Sequence, residues 1–420
     1  MSTPIGAREV ARRVLDRIDK DRAWATPALD GELARAGLDE RDRRLAAELV
    51  YGVLRQRARI DRALAAHANL KKTPPKVVTA LRIAAYQLLF LDRIPGHAAV
   101  NDAVAAARAV GGPKVGGFAN AVLRKLSTQG EPPLPAGDLA LEASLPAWIL
   151  DELLRAAPDE ARAGDIARAL AQPAPLVARV NALRTTRDAL IGELEPLGIT
   201  ATPLDAPMAL RLEGAGDPSK VASFVAGRWT VQDLGAQHVA LAARPRAGQK
   251  ILDACAGVGG KSTHLAELTG DQAVIHAADL SATKLGLAGE TAQRLGLSSI
   301  HRITCDLLDP DAPLATDYDL IVLDAPCSGL GVLRRHPDAK WRMQASDVPR
   351  LADLQRKLLD AVVPRLRPGA TLVYSVCTFT RAEGPDQVAA LVARSGLRLE
   401  HEERTWPPDA DGFYLARLTR

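Results

Sequence analysis

From Lys250 onward the chain alternates between two textures. Short β-forming runs, Ile251–Ala254, Ala273–Asp279, Ile300–Thr304, Leu320–Asp324 and Ala370–Ser375, are separated by helix-forming stretches, the last over Leu351–Leu366. Strands alternating with helices imply a parallel, doubly wound sheet. Ligands of such sheets sit outside the carboxyl ends of the strands. Asp253, Asp279, Asp324 and Cys377 each fall at or just beyond such an end. A site is expected there before any motif is considered.

The rest of the chain reads differently. At 420 residues it exceeds one typical core, so two or three domains are expected. Apolar residues at 47% and charged residues at 25% exclude a disordered chain. Residues 6–126 show helical spacing, as in Val10-Ala11-Val14-Leu15-Ile18 and Leu45-Leu49-Val50-Val53. A more apolar helix from Val77 to Leu91 stops before Pro95, and another closes at Gly111-Gly112-Pro113. Residues 129–137 form a Pro/Gly-rich linker, residues 146–172 look helical again, and Leu176–Trp229 mixes strand-like runs with a helix near Thr186–Leu197. The expected architecture is multidomain: an all-α domain over 1–130, linker helices and a small α+β connector over 131–230, and an α/β Rossmann-like domain over 231–420.

Charge is divided along the same lines. The net charge of +4 hides a balance of +10 over residues 1–130, where 23 Lys and Arg face 13 Asp and Glu. Residues 131–235 carry −6 and residues 236–420 carry zero. A basic segment points to a polyanionic partner. Arg41, Arg43, Arg44, Arg55, Arg57, Arg59, Lys71, Lys72 and Lys76 are candidates for a phosphate-binding face. No apolar run reaches the roughly 18 residues that a membrane span needs. Met1–Asp30 is studded with charge and lacks the apolar core of a signal peptide, so a cytoplasmic protein with no membrane contact is expected; a monomer is expected as well. The four cysteines, Cys255, Cys305, Cys327 and Cys377, form no CxxC pair, and His67, His97 and His264 show no metal spacing. No metal site is expected.

Three motifs carry chemistry. Ala254-Cys255-Ala256-Gly257-Val258-Gly259-Gly260-Lys261 follows a strand and opens a helix. Its glycines allow a tight turn and a close approach to a ligand. Asp279, ending the next strand, suits ribose hydroxyls. The spacing is neither the dinucleotide GxGxxG nor a P-loop, which ranks S-adenosylmethionine above NAD or ATP. Asp324-Ala325-Pro326-Cys327-Ser328-Gly329 places a carboxylate and a thiol on one turn stiffened by proline. Tyr374-Ser375-Val376-Cys377-Thr378 ends the next strand with a second thiol, and either sulfur can serve as a nucleophile if its pKa is lowered. For a single cysteine the plain alternative is a small buried hydrophobe, and that reading suits Cys255 and Cys305 better. Arg334-Arg335-His336-Pro337 and Lys340-Trp341-Arg342 interleave charge with an aromatic, as phosphate binding and base stacking require. A solvated surface loop would look the same.

Residues 251–267, 324–342 and 374–384 together resemble the RNA (cytosine-5) methyltransferase family, in its Sun-type branch. Asp-Ala-Pro-Cys-Ser with a second Tyr-Ser-x-Cys carries that likeness. Leu81–Leu89, Ile94-Pro95 and Gly117–Arg124 resemble the NusB family. The resemblance implies a NusB-like RNA-binding domain fused to a methyltransferase that acts on a cytosine of small-subunit (16S) ribosomal RNA. It implies Cys377 as the nucleophile, Cys327 as the residue that helps release the product, and Asp324 as the group that binds the base. It further implies a cofactor bed along residues 254–261, with Asp279 at the ribose and Asp306 toward the adenine. Arg334, Arg335, Lys340 and Trp341 are expected to contact RNA. Val258 departs from the family, which usually has proline there. Two other readings stay open: methylation of another substrate, and a non-catalytic assembly factor with a relic pocket.

Overall fold

The computed structural model describes residues 5–92 and 94–420. They gather into two compact units. One comprises Met1–Asp151, Asp159–Pro173 and Leu333–Met343; the other comprises Glu152–Pro158, Ala174–Val332 and Gln344–Arg420.

The first unit is helical. Helices form over Ala7–Asp21, Ala25–Ala36, Glu40–Arg55, Arg57–Ala65, Pro75–Phe90 and Gly96–Gln129, the last broken at Gly111–Gly112. Gly112 adopts φ +74, which an L side chain resists, and Pro113 follows it at the start of the second half. The apolar positions legible at three- and four-residue spacing are the core: Val10, Val14, Leu49, Val53, Leu81 and Leu123 are all buried. Many of the basic residues are spent inside the unit. Arg82 binds Asp61 at 2.7 and 2.9 Å and Asp19 at 2.9 Å, Arg57 binds Asp19 at 2.8 Å, and Arg59 binds Glu131 through two nitrogens.

The second unit holds two sheets. In the smaller, β1 (Leu176–Val180), β2 (Thr200–Pro203), β3 (Ala209–Glu213) and β4 (Trp229–Val231) run antiparallel in the order β2-β3-β1-β4. In the larger, β5 (Lys250–Asp253), β6 (Val274–Asp279), β7 (Ile300–Thr304), β8 (Tyr318–Asp324), β9 (Leu366–Val376), β10 (Arg398–Thr405) and β11 (Phe413–Thr419) lie in the order β10-β11-β9-β8-β5-β6-β7. The five expected strands pair in parallel. The expectation of a wholly parallel sheet is corrected at one edge, where β11 joins β9 and β10 joins β11 antiparallel. Arg398-Leu399-Glu400-His401-Glu402-Glu403 is almost entirely exposed, so β10 lacks the apolar signature that marks a buried strand.

The order reverses between β5 and β8. Chain crossovers run outward from β5 to β6 and β7 and, on the other side, from β8 to β9, which opens a crevice at their carboxyl ends. One side chain joins the small sheet to the rim of that crevice. Arg179, on β1 and fully buried, donates to both oxygens of Glu267 (2.9 and 2.8 Å), to Thr263 Oγ1 (3.1 Å), to the Gly260 carbonyl (3.0 Å) and to Gln232. Asn181 adds two bonds of 3.0 Å, to the carbonyls of Gly227 and Leu295.

Candidate active site

The turn after β5 is built by two glycines. Gly257 has φ +56 and Gly259 has φ +80, and a Cβ on Gly259 would come within 2.7 Å of the Ala288 Cβ. Only glycine meets both demands at position 259. The helix Gly260–Leu268 then starts at the crevice with its first amides turned toward it. Asp279 at the end of β6 fixes the turn: its Oδ2 accepts from the Gly257 amide at 2.9 Å and its Oδ1 from the Ser281 amide at 2.8 Å. Asp306, beyond β7, is exposed and accepts from the Leu308 amide at 2.9 Å. Val258, Leu280 and Leu308 are 54%, 71% and 40% exposed, high for apolar side chains. They alternate along three strand ends with the two carboxylates. Apolar faces beside carboxylates fit a nucleoside, and the small residues Ala254, Ala256 and Gly260 leave its backbone approach open.

The polar end of the crevice centres on Asp324, at the tip of β8. Lys261 Nζ donates to its Oδ2 at 2.5 Å and Ser375 Oγ to its Oδ1 at 2.8 Å. Burial opposes a charge on Lys261, but Asp324, Asp253 and Cys377 together hold its pKa above the ordinary value. The ammonium also lies 5.4 Å from the Phe413 ring centre. Asp253, one strand over and fully buried, is bonded by Ser262 Oγ at 2.6 Å, while its Oδ1 has no partner. Burial raises its pKa to about 6.

The two strand-end thiols meet. Cys327 Sγ and Cys377 Sγ are 3.3 Å apart. The hydrogen bond to Cys377, then burial, then the charges of Cys377 and Glu383 push the Cys327 pKa well up. Burial likewise raises Cys255 and Cys305, which pack against the core as structural thiols.

A buried carboxylate that sequence reasoning did not single out ties the cysteine loops together. Glu383 accepts from the Ser328 amide (2.7 Å), Ser328 Oγ (2.5 Å), Thr380 Oγ1 (2.8 Å) and Gln355 Nε2 (3.1 Å). Ser328 adjoins Cys327 and also bonds Thr378, which adjoins Cys377, at 2.9 Å. Tyr374 OH reaches the Glu383 carbonyl at 2.6 Å. The available sequence signal was slight: a lone Glu six residues past a strand-end cysteine, amid hydroxyl residues.

The expected RNA-contact run is corrected in part. Lys340 is 1% exposed, and its ammonium points to the carbonyls of Arg55, Ser144 and Ala143 at 3.2, 3.4 and 3.5 Å. Trp341 Nε1 donates to the Leu54 carbonyl at 2.7 Å, and Arg334 is buried. Lys340 and Trp341 anchor Leu333–Met343 inside the helical unit, and the buried Lys340 ammonium is turned to backbone carbonyls there. Arg335 is half-buried and His336 exposed. Of the proposed phosphate face, Arg55 is buried and Arg57 lies 5.5 Å over the Trp341 ring, whereas Lys71, Lys72 and Lys76 are exposed. Among the described residues no cluster of ligating side chains could hold a metal, and no helix is long and apolar enough to cross a membrane.

Comparison with known proteins covers the same ground. Residues 240–419 match the 16S rRNA methyltransferase RsmB/F family, residues 6–128 the NusB family, and residues 145–218 the ferredoxin-like domain of RsmF/B-like methyltransferases. A probable ribosomal RNA small subunit methyltransferase B of Synechocystis sp. is 36% identical over 99% of this chain and 100% of its own. Ribosomal RNA small subunit methyltransferase B of Vibrio cholerae is 37% identical over 92% of each. The crystal structure of PH0851 superposes with a TM-score of 0.82 at 23% identity, covering 100% of this chain and 99% of that one. NSun6 from Pyrococcus horikoshii, solved with the S-adenosylmethionine analogue SFG, superposes with a TM-score of 0.60 at 22% identity over 66% of this chain and 99% of its own. At these identities the structural likeness is one of fold.

Proposed function

Given that the chain belongs to the 16S rRNA methyltransferase RsmB/F family, with a NusB domain at its N-terminus, we propose that it methylates carbon 5 of a cytosine in small-subunit ribosomal RNA through a covalent adduct on Cys377. The observation that carries the reading is the pair of sulfurs 3.3 Å apart, on adjacent strand ends, with Asp324 on the same turn as one of them.

Carbon 5 of cytosine is a weak nucleophile. A thiolate of Cys377 adding to carbon 6 turns the ring into an enamine whose carbon 5 can attack an electrophilic methyl. Asp324, held by Lys261 and Ser375, is placed to bond the ring and amino nitrogens and to steady the charge that grows there. S-adenosylmethionine, the cofactor proposed for the bed along Ala254–Lys261, supplies the sulfonium methyl when bound. Asp279 and Asp306 then offer carboxylates to the sugar and toward the base. After transfer, the carbon 5 proton must leave and the Cys377–carbon 6 bond must break. The Cys327 sulfur, in contact with Cys377, is the group positioned to assist that release. A stacked base could not enter the crevice, so the target cytosine is single-stranded or flipped out.

Incubation with methyl-labelled cofactor and ribosomal RNA tests the reading. Label is expected at carbon 5 of cytosine; label on adenine or guanine, or none, would overturn it. Cys377→Ser should abolish turnover and trap nothing. Cys327→Ala should accumulate a covalent protein–RNA complex, visible as a shifted band on a denaturing gel. The opposite pattern would exchange the two roles.

A further inference from the structure

The second unit carries a concave basic site at the far pole of the large sheet. A cavity of about 360 Å³ opens where β5, β8 and β9 begin, the end opposite the cysteines. Arg244, Arg246, Arg367 and Arg417 all line it, against two carboxylates, Asp319 and Glu400. Arg367 pairs with Asp319, and Arg417 with Glu400 at 3.1 Å. Arg244 and Arg246 are exposed, and among the described residues no carboxylate pairs with their guanidinium groups. The lining therefore has two positive charges left over.

The chain brings these guanidinium groups together by unusual means. Arg244 ends the helix Leu234–Ala243 in the left-handed region, at φ 48, which a non-glycine residue adopts only against a steric penalty. Arg417 Nε is a buried donor without an acceptor among the described residues. Unpaired like charges around one concavity, with a donor unsatisfied, are what an absent oxyanion would balance. Guanidinium forks match the oxygens of phosphate in geometry as well as charge.

We propose that this pocket binds a phosphate group, and that its occupant is a backbone phosphate of the RNA whose cytosine enters the crevice at the opposite pole. The RNA source rests on the reading of function above; the phosphate chemistry does not. A chain of RNA gripped at both ends of the sheet would be held in register by contacts remote from the reacting base.

The test uses the full-length protein and the double variant Arg244→Ala/Arg246→Ala. Neither side chain is buried, so folding is expected to survive. Arg356→Ala/Lys357→Ala removes the same charge elsewhere and serves as control, since both side chains pair with Asp353. Affinity for ribosomal RNA is measured from 50 to 300 mM salt. The slope of log affinity against log salt should fall by about 0.7 to 1 in the pocket variant and by less than half that in the control. Equal slopes in wild type and pocket variant overturn the RNA assignment. In a second arm, inorganic phosphate is titrated while the amide and guanidinium resonances of the pocket are followed. Saturable shifts in wild type that vanish in the variant support the phosphate chemistry, and no shift overturns it. Methylation of the wild type, scored in parallel, reports separately on the reading of function.

Discussion

At the residue scale, burial decides what each titratable group can do. Cys327 and Cys377 look alike in sequence, each three residues or fewer past a strand, yet the structure separates them. Cys327 is held as a thiol by its neighbour, by burial and by Glu383. Asp253 shows the same force acting on a carboxyl group. Its pKa rises from an ordinary 3.8 to about 6 because the group is fully buried and one oxygen has no partner. A carboxyl whose pKa is raised by folding stabilises the fold while protonated. That contribution is fully present below about pH 4 and is lost as pH climbs through about 6. A rise of that size corresponds to about 3 kcal/mol. Denaturant unfolding of wild type and Asp253→Asn should therefore converge at pH 4 and separate at neutral pH, with the wild type losing stability relative to the variant across that window. Parallel profiles would refute the shift. The strand-end positions of the aspartates and of Cys327 and Cys377 were legible from the sequence, because strand ends follow from local pattern. Glu383 was not, because its importance lies in four donors from three separate segments.

At the scale of elements, the cofactor-side helix is held from outside its own sheet. The Leu176–Val180 run, which holds Arg179, reads as a short strand in sequence. In the structure, Arg179 reaches across to the helix Gly260–Leu268 and bonds Glu267, Thr263 and the Gly260 carbonyl. Burial raises the Glu267 carboxyl, and Arg179 opposes that rise. Removing one partner of such a pair leaves a buried charge uncompensated, at a cost of about 3–5 kcal/mol. Arg179→Met should destabilise the second unit by that order and loosen the cofactor turn at Gly260. Arg179→Met combined with Glu267→Gln should recover much of the stability. Urea unfolding of both variants checks this: a double variant as unstable as the single one would show that packing, and not charge, is what Arg179 contributes. The β10–β11 edge teaches a similar lesson. An exposed strand has polar residues on both faces, so its pairing is decided by the neighbour it finds.

At the scale of the whole molecule, the chain does not divide into units in simple sequence order. Leu333–Met343 leaves the second unit directly after the Cys327 turn, joins the helical one, and returns. Lys340 and Trp341 are its anchors. Burial lowers the Lys340 pKa from 10.5 to about 7, with the charge of Arg55 adding to the effect. An amine whose pKa is depressed on folding contributes stability above its ordinary pKa and loses it as pH falls toward the folded value. Urea unfolding between pH 7 and 10 should show the helical unit gaining stability, on the order of a few kcal/mol, and Lys340→Met should flatten that rise. A wild type without the rise would mean that the ammonium is better solvated than its surroundings indicate. The sequence by itself determined what local pattern can carry: a helical unit, a small mixed unit, a run of alternating strands and helices, and a cluster of acids and thiols at strand ends. Periodicity and turn chemistry are properties of neighbouring residues, so one chain suffices to read them. Only the tertiary structure decided that the two sulfurs touch, that Glu383 binds their loops, and that Lys340-Trp341-Arg342 lies inside the helical unit. A basic aromatic run has the same local appearance whether it meets phosphate or backbone carbonyls. The partner it meets is set by residues hundreds of positions away, and no local preference encodes that.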